Sequence, residues 1–148
     1  MKELNSKNLL DLAKKLGIKI NEIYCRDEKI KIIDGCYIIN LDTKRIMIGT
    51  HWTAFYKKNK IFYFDSYGMP PPQELLLKFK LLHDKVYYND IVYQKIGSNT
   101  CGYFSIYFLF CMVNHVTPYQ FLYKVLNPFN ITYNEKLLKN IFNLSVIV

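Results

Sequence analysis

Between Cys101 and Val113 the chain reads Cys-Gly-Tyr-Phe-Ser-Ile-Tyr-Phe-Leu-Phe-Cys-Met-Val, with Ser105 its one small polar side chain. A helix that is apolar all round has no face to give to water and must be enclosed by other elements. The run falls short of the roughly 18 to 20 apolar residues that cross a bilayer. It therefore predicts a helix buried in a protein core, and the rest of the chain has to supply its cover.

The 148 residues suffice for that as one domain, spanning 1–148. Half of them are hydrophobic (51%), with 13 Tyr and 10 Phe, which excludes a disordered chain. The opening Met1-Lys2-Glu3-Leu4-Asn5 lacks the apolar stretch of a secretory signal, so an intracellular protein without a membrane span is expected. In that setting Cys25, Cys36, Cys101 and Cys111 should be free thiols, and no Cys-x-x-Cys pair suggests zinc. The formal charge of +8 favours polyanionic or acidic partners, non-specific DNA included, or serves only solubility.

Periodicity and turn signals give an α+β chain. A helix is expected over Ser6–Leu16, with Ser6 as N-cap and Gly17 as its stop. Strands are expected at Ile30–Ile33 and Tyr37–Leu41 about an Asp34-Gly35 turn, then at Thr50–Tyr56 and Ile61–Asp65. The prolines at 70–72 break the sheet. A helix over Gln73–His83, a strand at Asp90–Gln94 and a loop Lys95–Thr100 lead into the buried helix, which should run to about His115. Thr117-Pro118 marks the cap and first position of another helix, to about Leu126, and Asn134–Leu144 forms the last.

Four residue types in this order carry chemistry. Cys101 opens the apolar helix, where the N-terminal dipole favours a thiolate. Gly102 keeps the neighbouring N–H groups unobstructed. Gln94, seven residues before the cysteine, offers a side-chain amide to an oxyanion. If Thr50–Tyr56 and Ile61–Asp65 form a hairpin about Lys57-Lys58-Asn59, with Asn59 left-handed, His51 falls opposite Asp65. Opposed side chains lie about 4.5 to 5.5 Å apart, within reach of a hydrogen bond. Thiol, imidazole, carboxylate and amide are the parts of a cysteine nucleophile site.

Each residue has a plainer reading. A cysteine in an aromatic helix is commonly a small buried hydrophobe. His51 suits a strand end, and Asp65-Ser66 opens a turn. Cys111 and His115 lie four apart on one helix, but two ligands do not make a metal site, and no metal is expected. His83 suits a helix C-terminus. The order and geometry of the set, rather than any member, point to catalysis.

His51-Trp52, then Asp65-Ser66-Tyr67-Gly68, then Gln94 and Cys101-Gly102, resembles the adenovirus-type cysteine endopeptidases, and more widely the clan of Ulp-type deSUMOylating and deneddylating proteases. The resemblance spans most of the chain. It implies an adenain/Ulp-like α+β fold with a central sheet flanked by helices. Cys101 would be the nucleophile, His51 the base, Asp65 its orienting acid, and Gln94 with the Cys101 N–H the oxyanion donors; Trp52 belongs to the motif. No cofactor is needed for the chemistry. The compact size favours the viral maturation branch over the longer Ulp enzymes, an enzyme that processes viral capsid precursors in a virus, virophage or Polinton-like element, acting in the virion or the host cytoplasm or nucleus; a monomer is expected. Its Asn/Lys/Ile/Tyr-rich composition fits an A+T-rich genome. Leu75–Tyr93 holds no cysteine, against a disulfide-tethered peptide activator there; DNA as activator stays compatible with the charge. A ubiquitin-like isopeptidase and a non-catalytic basic nucleic-acid-binding module are the alternatives.

Overall fold

Asn5 and Asn8 satisfy each other's backbone N–H groups at 2.8 and 3.1 Å, and this reciprocal cap starts helix α1, Ser6–Lys15. The cap thus sits one residue before Ser6. Gly17, at φ 74°, ends the helix, and Ile18 N–H reaches back to Ala13 O at 2.8 Å. These features come from a computed structural model that describes residues 1–42 and 51–147, with side chains to 143.

Among the described residues five strands follow: β1 Ile20–Cys25, β2 Gly35–Asn40, β3 Trp52–Lys58, β4 Lys60–Phe64 and β5 Val86–Tyr88. They lie side by side in sequence order, antiparallel at β2–β3 and β3–β4 and parallel at β1–β2 and β4–β5. The architecture is α+β, a mixed sheet flanked by helices, as expected. The expected strand at Ile30–Ile33 and its hairpin with Tyr37–Leu41 do not form. Instead the Tyr37 hydroxyl holds Ile33 N–H at 2.9 Å, and β2 takes the preceding β1 as a parallel neighbour. Asn21 donates to Asp34 O at 3.0 Å and fills the space a Cβ at Gly35 would need, so the Asp34-Gly35 pair opens a strand rather than turning a hairpin.

Thr50 lies outside the described residues. The β3–β4 hairpin turns at Asn59, left-handed at φ 64° as its sequence suggests, but two residues out of the expected register. Phe55 pairs with Tyr63 instead of Ile61. A shift of two keeps every side chain on its face, so the alternation that the site depends on survives.

The expected strand at Asp90–Gln94 is also absent. Asn89 replaces the ladder beyond β4: its Oδ1 accepts Asp65 N–H at 3.1 Å and its Nδ2 donates to Asp65 O at 2.6 Å. Tyr93 and Gln94 N–H then both bond Ser66 O, which carries the chain away from the sheet edge.

Helices cover both faces. α2, Gln73–Leu81, makes the β4–β5 crossover and buries Leu75 and Phe79 against Tyr37, Phe55 and Tyr63. On the other face lies α3, Cys101–Val113, packed with Leu9, Ile38, Trp52 and Phe64. Thr117 caps α4, Pro118–Gln120, which continues as a π-helical turn over Phe121–Val125, and α5, Ile131–Ile147, adds Leu138 and Phe142 to the same core. Ten of the thirteen residues of α3 are buried, as its composition demanded. Among the described residues no helix is long and apolar enough to cross a membrane.

Candidate active site

The sheet brings His51 and Asp65 together at one end of the β3–β4 hairpin. His51 immediately precedes β3 and Asp65 immediately follows β4, and His51 Nε2 lies 2.8 Å from Asp65 Oδ1. Continuing the observed register would set Tyr67, not Asp65, across from His51, and the two rings do stack, with centroids 4.8 Å apart. Asp65 is therefore the diagonal neighbour, a position within reach of long side chains. Its carboxylate is fixed by a second donor, Tyr67 N–H, at 2.7 Å, and its backbone by Asn89. Asp65 is wholly buried.

Cys101 is the first residue of α3, and Trp52 ties it to the start of β3. Its N–H donates to Cys101 Sγ at 3.4 Å, while Ser105, one turn into the helix, donates to Trp52 O at 3.2 Å. The Trp52 indole N–H is held by Leu4 O at 2.9 Å, and Tyr103 donates its hydroxyl to Lys2 O at 2.7 Å. The segment ahead of α1 thus packs behind Cys101. Gly102 makes that possible: a Cβ there would meet Leu4 and Leu9 at 3.1 to 3.3 Å. Its missing side chain admits these neighbours, a role beyond leaving N–H groups unobstructed.

Burial disfavours the imidazolium of His51, but the hydrogen bond it donates to Asp65 and the interaction with Cys101 outweigh it and push the pKa up to about 9. The ring therefore carries its proton at neutral pH. Asp65 takes Nε2, and Nδ1, buried and without a hydrogen bond of full geometry, is the nitrogen left to the thiol. Burial raises Cys36 and Cys111 to about 11, and Cys25 is raised by burial and by Glu28.

Gln94 is completely buried in the loop before α3. Ser66 donates to its Oε1, and its Nε2 donates to Ser98 O and Ser98 Oγ at 3.1 and 3.0 Å. At rest both amide hydrogens thus have acceptors in the loop, and service to a substrate oxygen requires exchanging one of them. Asn89 and Glu135, which no sequence signal singles out, complete the frame together with Ser66, Ser98 and Thr100. Asn89 is separated from Asp65 by a helix and a strand, and Glu135 belongs to another helix, so neither had a local signal. Ser98 and Thr100 were legible only as loop residues.

No family model matches the chain, and no curated protein does. Among solved structures, the selenomethionine crystal structure of the ASFV pS273R protease aligns with a TM-score of 0.50 at 21% identity. That alignment covers 70% of this chain and 42% of the other. A second crystal structure of the ASFV pS273R protease gives 0.48 at 20%, over 70% and 40%. The chain thus spans about two fifths of the length of these neighbours. The α+β fold built here is similar to the fold of that protease.

Proposed function

We propose that the protein is a cysteine endopeptidase with Cys101 as nucleophile, His51 as acid and base, Asp65 as the orienting carboxylate and Gln94 as an oxyanion donor. The observation that carries this reading is the His51–Asp65 contact at 2.8 Å beside a thiol at a helix start. The likeness in fold to a protease supports it.

In the proposed reaction the Cys101 thiolate attacks the scissile carbonyl carbon, and the oxygen takes the negative charge. The Cys101 N–H and the Gln94 amide hold that oxyanion. His51 passes its proton to the leaving amine as the C–N bond breaks, which leaves a thioester. The neutral ring then removes a proton from water, whose hydroxyl oxygen displaces the sulfur. The acid product departs and the thiolate–imidazolium pair is restored.

The substrates proposed are precursor proteins of a viral particle, with the preference for glycine near the cleaved bond that the resemblance implies. This assignment rests on the motif resemblance. DNA enters as a non-specific activator through the charge of +8.

Digestion of a proteome-derived peptide library, with and without DNA, tests the reading. New termini in the wild type and none with Cys101→Ala are expected. Cleavage restricted to tails ending in Gly-Gly would favour the isopeptidase. No cleavage in either condition, with salt-sensitive DNA binding retained, would replace the protease with the binding module.

A further inference from the structure

Glu135, on the first turns of α5, is buried, and no step of the proposed reaction uses it. Its carboxylate grips both ends of the loop between the oxyanion glutamine and the nucleophile. At the near end Lys95 N–H, next to Gln94, donates to Oε1 at 3.3 Å. At the far end the Thr100 hydroxyl, next to Cys101, donates to Oε2 and Oε1 at 2.8 and 3.1 Å. Between them Ser98 Oγ lies 2.9 Å from Thr100 Oγ1 and accepts from Gln94 Nε2 at 3.0 Å. Because the Thr100 proton is committed to the carboxylate, Ser98 donates to Thr100. Donors then run in one direction from Gln94 through Ser98 and Thr100 to Glu135. Each member except Ser98 is at least nine-tenths buried.

Thr100 shows what this network displaces. Threonine at an N-cap ordinarily turns its hydroxyl onto the N–H groups of the first turn. Thr117 does so at α4, accepting Gln120 N–H at 3.1 Å with an extended ψ of 155°. Thr100 stands at the N-cap of α3 with ψ 1° and makes no capping bond. Its hydroxyl faces Glu135 instead, and the helix start at Cys101 keeps its N–H groups clear of that side chain. Asn134, the neighbour of Glu135, donates to Tyr93 O at 3.2 Å and holds the residue before Gln94 as well.

We propose that Glu135 is a positioning residue of the active site: through Lys95 N–H and the Thr100 hydroxyl it fixes Gln94 and the α3 start relative to each other. It sets where the two oxyanion donors stand and touches no substrate. The proposal rests on the protease reading. Misplacing a catalytic group by about 1 Å can cost on the order of 100-fold in rate, so loss of the clamp should appear in kcat.

The test is steady-state kinetics on a peptide the wild type cleaves, with melting temperature measured beside it. Glu135→Ala should lower kcat by about 10- to 100-fold with KM within about twofold. Glu135→Gln keeps an oxygen for Thr100 and should recover most of that loss. Thr100→Val should match Glu135→Ala and Thr100→Ser should stay near wild type. The double variant Thr100→Val/Glu135→Ala should lose no more than either single one, since both cut one linkage. Should Glu135→Ala fail to fold, the Thr100 pair and Glu135→Gln still decide the matter. A kcat within twofold of wild type in Thr100→Val and Glu135→Ala, with only the melting temperature lowered, would leave Glu135 structural and overturn the proposal alone. A wild type with no Cys101-dependent cleavage would remove the protease reading and this proposal together.

Discussion

His51 is where burial and charge compete most openly. A buried imidazole would ordinarily lose its proton, yet the partners on either side carry its pKa up to about 9. The sign fixes the alkaline behaviour. In the proposed reaction the ring below about 9 holds the proton that the leaving amine needs, and above it the proton is gone, so turnover should fall as pH rises through that value. Asp65→Asn removes the carboxylate that raises the ring, so the alkaline limb should move to lower pH and the rate should drop. A pH–rate profile of the two proteins checks this, and a limb that stays in place would take Asp65 out of the mechanism. His51, Asp65 and Cys101 were legible as candidates because imidazole, carboxylate and thiol carry chemistry in their own side chains. The neighbours that hold them were not. Asn89 acts on the backbone of Asp65 from another strand end, which no local pattern announces.

At the scale of elements, α3 was the most legible, since an all-round apolar helix admits only an enclosed position. Phe104 is fully buried at its first turns, in the core shared by α1, β3 and α5. Phe104→Ala should cost about 3 to 5 kcal/mol in a denaturant titration; a loss below about 1 kcal/mol would mean that α3 is not enclosed as described. The hairpin was legible in its faces but not in its register, because alternation fixes a face modulo two residues. Turn composition could not distinguish Phe55 opposite Ile61 from Phe55 opposite Tyr63, and the structure has the second. β1 went unseen for a related reason. The polar pair Asn21-Glu22 interrupts its pattern, and a parallel edge strand takes its partner from a non-local pairing. The Asp90–Gln94 stretch looked like a strand by composition, and one side chain, Asn89, removes it from the ladder.

Across the whole molecule, the sheet divides two cores: α2 closes one, and α1, α3 and α5 close the other. The groups proposed for catalysis come from the ends of β3 and β4, the loop before α3 and the start of α3, with α5 reaching that loop through Glu135. This distribution supplies its own controls. Cys25, Cys36 and Cys111 are buried at 0, 2 and 3% exposure, and Cys101 at 5%, so accessibility hardly separates them. What separates them in the proposed reading is that Cys101 stands at a helix start beside His51. The most direct test is therefore time-resolved iodoacetamide labelling of the folded protein at neutral pH, read by peptide mass spectrometry at all four cysteines, with His51→Ala alongside. Cys101 should label at least about tenfold faster than the other three, and His51→Ala should remove most of that advantage. Equal rates at the four thiols, or a fast Cys101 indifferent to His51, would contradict an activated nucleophile at this site.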